Sequence, residues 1–178
     1  MKEKTVFAGF GGQGIVSLGQ IWVYCGMKEG KEVSFFPFYG AEKRGGIARA
    51  NCIVSEDGVS SPIITTADSA VVMNEDSLAL GESILRPDGL LLVNSSLVNA
   101  TPSRTDIRVK RIPATGIAEK IGSGKIANMV MLGALARLTG ALSLDSVAEI
   151  LRGFFPAAKQ RLVPMNVEAI QAGLSFSF

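Results

Sequence analysis

At 178 residues, 47% hydrophobic and only 19% charged, the chain is long enough to bury one sizeable core and is apolar for a globular protein, in which about a quarter of residues are usually charged. Eighteen Lys and Arg stand against sixteen Asp and Glu, well mixed along the chain, which excludes the concentrated basic field that nucleic acid requires. There is no histidine, and Cys25 and Cys52 stand far apart with no CxxC spacing, so a self-contained hydrolase, an iron–sulfur or zinc site and a thioredoxin-type pair are all excluded.

In chain order, the apolar run at residues 5–9 predicts a strand. It is ended by Gly9-Phe10-Gly11-Gly12-Gln13-Gly14, after which Ile15, Leu18, Ile21, Trp22 and Cys25 recur at helical spacing. Gly30 ends that helix, and residues 32–36 predict a second strand broken by Pro37. Residues 38–48, which include Tyr39-Gly40-Ala41-Glu42-Lys43-Arg44-Gly45-Gly46, predict a loop leading into a helical turn. Residues 50–55, 70–73 and 90–93 predict strands, with Asp57-Gly58 as a turn and a helix over 77–85 between the second and third. A last strand is expected at 108–112 and a short helix at 116–121. Residues 127–138 are apolar nearly all round, the pattern of a helix buried in the protein or in an interface, and 144–155 predict a further helix stopped by Pro156. Strands alternating with helices predict an α/β fold, a single three-layer α/β/α domain over residues 1–178 with a mostly parallel, Rossmann-like sheet. With no apolar stretch long enough to cross a bilayer, no membrane contact and a cytoplasmic location are expected.

Gly9, Gly11 and Gly14 satisfy GxGxxG after a strand and before a helix, a setting in which backbone N–H groups and a helix N-terminus can hold a diphosphate. The same glycines would equally serve a tight turn and close packing alone. A dinucleotide site also wants an acid at the end of the second strand. Here that strand ends Phe35-Phe36-Pro37, which disfavours NAD and FAD and leaves the phosphate of another nucleotide-containing cofactor. In the second glycine-rich segment the Arg44 fork could clamp a phosphate or a partner's carboxylate, with Arg49 just beyond, although an ordinary solvated loop has the same composition. Cys25 and Cys52 read as small buried hydrophobes, Trp22 as core or interface, and Asn128 as an N-cap or an interface contact.

The Gly9 to Gly14 loop, the Tyr39 to Gly46 segment, the stretch beginning Lys125-Ile126-Ala127-Asn128 and the tail beginning Asn166-Val167-Glu168-Ala169 together resemble the γ subunits of 2-oxoacid:ferredoxin oxidoreductases acting on 2-oxoglutarate, 2-oxoisovalerate or pyruvate. The resemblance implies a heteromeric complex that oxidatively decarboxylates a 2-oxoacid to an acyl-CoA while reducing ferredoxin. Thiamine diphosphate and magnesium would sit in α and β subunits, and iron–sulfur clusters in a ferredoxin-like subunit. The γ-type domain would pack against the thiamine-binding subunits and contribute to coenzyme A binding, with no firmly held cofactor, no metal and no catalytic residue of its own. By matching position, Gly9, Gly11, Gly12, Gln13 and Gly14 would form the cofactor-contacting or interface loop, and Tyr39, Glu42, Lys43 and Arg44 the neighbouring functional segment. Glu42-Lys43 ahead of Arg44-Gly45-Gly46 favours the 2-oxoglutarate or branched-chain branch over an indolepyruvate oxidoreductase β subunit. Without its partners, a chain with an exposed apolar interface would tend to pair with itself. The rival expectation is a free-standing nucleotide-binding reductase using the glycine loop.

Overall fold

The computed structural model of the chain describes residues 1–39 and 46–178, the side chain of Tyr39 excepted. β1 (Lys2–Phe10) leads through the glycine loop into α1 (Ile15–Lys28), as the switch from a continuous apolar run to helical spacing predicts. Pro37 does not end the next strand: β2 (Glu32–Tyr39) continues through it and pairs antiparallel with β3 (Ile47–Ser55). β2 lies at the edge of the sheet, where a residue lacking an N–H is tolerated. Four residues expected in a loop, Phe38, Tyr39, Ile47 and Ala48, are therefore strand, and the expected helical turn falls on residues outside those described.

The chain continues through β4 (Ala67–Val72), a short 3₁₀ turn (Glu75–Ser77), α2 (Leu78–Ile84), β5 (Leu85–Asn94), β6 (Arg108–Ile112), α3 (Ala114–Ile121), α4 (Ala127–Thr139), α5 (Val147–Phe154) and α6 (Val163–Leu174). The strand order is β2-β3-β1-β4-β5-β6, with β1, β4, β5 and β6 parallel and β3 antiparallel to both of its neighbours. The expected mostly parallel sheet thus carries an antiparallel pair on one side. The β2–β3 connection is too short for the crossover that parallel pairing would need.

Alternate side chains go to opposite faces. Phe7, Ala50, Cys52, Val71, Leu90 and Leu92 enter a large core with α1 and α3 to α6, whereas Val6, Ile53, Ala70, Val72, Leu91 and Val93 enter a smaller one with Leu78 of α2 and Ile64. The layers on the two faces are therefore unequal. α4 is buried from Ala127 to Ala136, as its all-round apolar pattern requires. α6 lies against it so closely that a Cβ on Gly133 would meet the Ile170 carbonyl, and one on Gly173 the Val130 carbonyl. Among the described residues no helix is long and apolar enough to cross a membrane.

Candidate functional site

The parallel strands end on one side of the sheet, and the ligand-binding crevice of an open α/β sheet lies there. The glycine loop follows β1, Met73 follows β4, Leu97 follows β5 and Thr115 follows β6, and the start of α4 reaches the same place.

The loop is built by its glycines. Gln13 N–H donates to the Phe10 carbonyl at 3.1 Å, closing a turn over residues 10–13 in which Gly12 sits at φ 99°. Positive φ at the third position is what a type II turn demands and what a Cβ disfavours. Gly14 caps α1 at φ 74°, with no side-chain cap and no acidic residue in the first helical turn. The N–H groups opening α1 are thus left to water or a ligand, at the positive end of a 14-residue helix. Outside them lies a hollow of about 240 Å³ lined by Phe10, Gly11, Gly12, Ile15, Val16 and Ala48, in which a Cβ on Gly11 or Gly12 would touch nothing. Its size and open backbone amides suit a phosphate or diphosphate.

The predicted contacts divide. Gly11, Gly12 and Gly14 border the hollow. Gly9 is buried in β1, where a Cβ would come within 2.6 Å of Gln13 Oε1 and 2.9 Å of Met73 Cβ. Gln13 turns its carboxamide inward, Oε1 accepting from Phe10 N–H at 2.7 Å and Nε2 donating to the Met73 carbonyl at 3.3 Å. Tyr39 ends β2 opposite Ala48, and Ile47 pairs with Phe10, so the two strand ends that bound the second predicted segment stand beside the hollow. Glu42, Lys43 and Arg44 lie outside the described residues. Arg49, in β3, places its guanidinium 5.3 Å from the Phe38 ring centroid and donates from Nε to Asn51 Oδ1 at 2.7 Å; burial lowers its pKa.

A second hollow of about 210 Å³ opens on the other side of the loop, lined by Gly12, Gln13, Thr115, Lys125 and Asn128 among others. Asn128 is neither N-cap nor exposed: from the second position of α4 it donates to the Gly14 carbonyl at 3.3 Å. A polar residue in the most apolar helix was the sequence signal for it. Thr115, which accepts from Asn94 Nδ2 at 3.0 Å, carries no such signal because the chain places it there only through β6 and α3. Cys25 and Cys52 are buried, and desolvation pushes the Cys25 thiol up to about 12 and that of Cys52 well above its ordinary value, so neither is a thiolate at neutral pH. Among the described residues no His, Cys, Asp or Glu side chains gather as a metal site would need.

A mostly parallel sheet with helices on both faces and a glycine loop at its carboxyl edge defines the class as a Rossmann-like α/β domain. The chain belongs to the pyruvate ferredoxin/flavodoxin oxidoreductase family, whose model matches residues 4–176. Ketoisovalerate oxidoreductase subunit VorA of Methanothermobacter thermautotrophicus is 35% identical over 98% of this chain, which spans only 36% of VorA. 2-Oxoglutarate synthase subunit KorC of Methanothermobacter marburgensis is 32% identical over 97% of this chain and 95% of its own length. The crystal structure of the keto/oxoacid ferredoxin oxidoreductase gamma subunit from Geobacter sulfurreducens PCA is similar with a TM-score of 0.82 at 27% identity, covering 97% of this chain and 94% of that one.

Proposed function

We propose that this chain is the γ-type subunit of a thiamine-diphosphate-dependent 2-oxoacid:ferredoxin oxidoreductase, a single domain over residues 1–178 that binds coenzyme A and joins larger subunits. The observation that carries the coenzyme A assignment is the uncapped start of α1 behind an open glycine loop. Backbone N–H groups there would hold the diphosphate of coenzyme A, with Gly11, Gly12 and Gly14 against it and Tyr39, Glu42, Lys43 and Arg44 supplying contacts from the adjoining segment. Gly9 and Gln13 belong to the same loop and would shape it. With both thiols protonated and no histidine in the chain, redox and proton chemistry fall to partners: α and β subunits with thiamine diphosphate and magnesium, and a ferredoxin-like subunit with iron–sulfur clusters. Relatives named for different 2-oxoacids share this fold, so the choice of acid rests on other chains. Of these acids we favour 2-oxoglutarate for the complex; Glu42-Lys43 marks the 2-oxoglutarate or branched-chain branch without itself selecting the acid. In the absence of partners the chain pairs with itself, and it works in the cytoplasm.

Gly11→Asp tests the assignment in the purified complex. A carboxylate there occupies open space and leaves the fold intact, but it opposes a bound phosphate. The KM for coenzyme A rises at least about tenfold, the effect of roughly 1.4 kcal/mol, while the KM for the 2-oxoacid stays within twofold. An unchanged KM for coenzyme A removes coenzyme A from this loop.

A further inference from the structure

Two of the three glycines in the GxGxxG pattern make room for carboxamides. A Cβ on Gly9 would overlap Gln13 Oε1, and one on Gly14 would run into Asn128 Nδ2. Each carboxamide then bonds the loop from within. Phe10 offers a donor and Met73 an acceptor, which fixes the Gln13 amide with Oε1 toward the first and Nε2 toward the second. Gln13 thereby ties the turn to the end of β4, 60 residues away in the chain. Asn128 ties the Gly14 carbonyl to α4, 114 residues away, at the residue whose left-handed conformation turns the chain into α1. Asn128 is only 7% exposed, and Gln13 is partly buried.

We infer that Gln13 and Asn128 are positioning residues: a pair of carboxamide struts that hold the glycine loop in its ligand-ready turn, so that the amides of Gly11, Gly12 and the start of α1 face the hollow before any ligand arrives. A glycine-rich turn has many conformations to lose on binding, and fixing it beforehand removes that cost from the binding step. Both polar atoms of the Gln13 side chain are bonded within the protein, Oε1 to Phe10 and Nε2 to Met73, which suits a strut that holds the turn.

The test rests on coenzyme A lying at this loop and uses the complete complex. Gln13→Met keeps the length and removes both hydrogen bonds. The KM for coenzyme A rises about tenfold, in the range of one lost hydrogen bond, while kcat and the KM for the 2-oxoacid stay within twofold. Asn128→Ala removes the other strut without altering the loop's sequence and gives the same split, so it decides the matter if Gln13→Met fails to assemble. Hydrogen exchange at the amide of residue 13, which closes the turn, speeds up about tenfold in both variants. Wild-type KM together with wild-type exchange overturns the inference, as does a loss of kcat and of both KM values in step with complex dissociation. If Gly11→Asp leaves the KM for coenzyme A unchanged, the coenzyme A assignment fails. The struts are then judged on exchange alone, faster exchange upholding them and unchanged exchange removing them.

Discussion

Among the described carboxylates, Glu3 is the one whose environment disfavours its charge. It lies near the start of β1, where Ser69 Oγ donates to its Oε1 at 2.7 Å, and burial pushes its carboxyl from the ordinary 4.5 up to about 7. The serine and the nearby Arg86 and Arg108 favour the ionised form, but desolvation outweighs them and the neighbouring Asp68 adds to it. A carboxyl whose folded-state pKa is raised holds its proton more tightly when folded. Its contribution to stability is therefore present at low pH, falls as pH rises from about 4.5 to about 7, and stays lost above that. Thermal melts of wild type and Glu3→Gln should diverge over this interval, the variant gaining on wild type as pH rises. A difference that is the same at pH 5 and pH 8 would contradict the assignment. Glycines separate just as sharply. Gly133→Ala forces a Cβ against the backbone of α6 and should cost about 3 kcal/mol in urea denaturation, at the upper end of overpacking, whereas Gly11→Ala, with nothing near its Cβ, should stay within about 0.5 kcal/mol. Equal effects at the two positions would mean that α4 and α6 are not in backbone contact.

At the level of elements, the strands and most helices were legible because each has one strong periodicity. What was not legible depended on neighbours distant in sequence. Pro37 reads as a strand breaker, and only its place on an edge strand makes it harmless. Leu85 to Gly89 joins β5 through an irregular register opposite Ala67 and Ser69, with Asp88 at φ 60°, a kink that no local pattern announces. The helix expected from 144 starts instead at Val147, because Leu144 takes φ 61° while the Glu29 carboxylate accepts from the N–H groups of Ser143 and Leu144. Glu29 thus clasps the end of α1 to the approach to α5. Glu29→Ala should lower stability by about 2 kcal/mol, the value of hydrogen bonds to a charged acceptor, and a shift in the denaturation midpoint equivalent to less than about 0.5 kcal/mol would show the clasp to be idle. α6 was not expected, although Val163, Ala169 and Ile170 are buried along it, because Asn166 and Gly173 on the same buried face interrupt the apolar pattern.

For the whole molecule, the glycine loop was legible as a loop, but its internal division of labour was not. Spacing places Gly9 and Gly14 in a phosphate motif, yet only the arrival of Met73 from β4 and Asn128 from α4 reveals what those glycines accommodate. Sequence separations of 60 and 114 residues carry no local signal. The proposed γ-type role puts the chain in an assembly with larger subunits. The most direct measurement is therefore on that assembly: the tagged chain is recovered from its native host and the eluate assayed for reduction of a low-potential dye. Larger subunits should accompany the chain, and reduction should require both a 2-oxoacid and coenzyme A. A chain that elutes alone with bound nicotinamide or flavin would contradict the γ-type role.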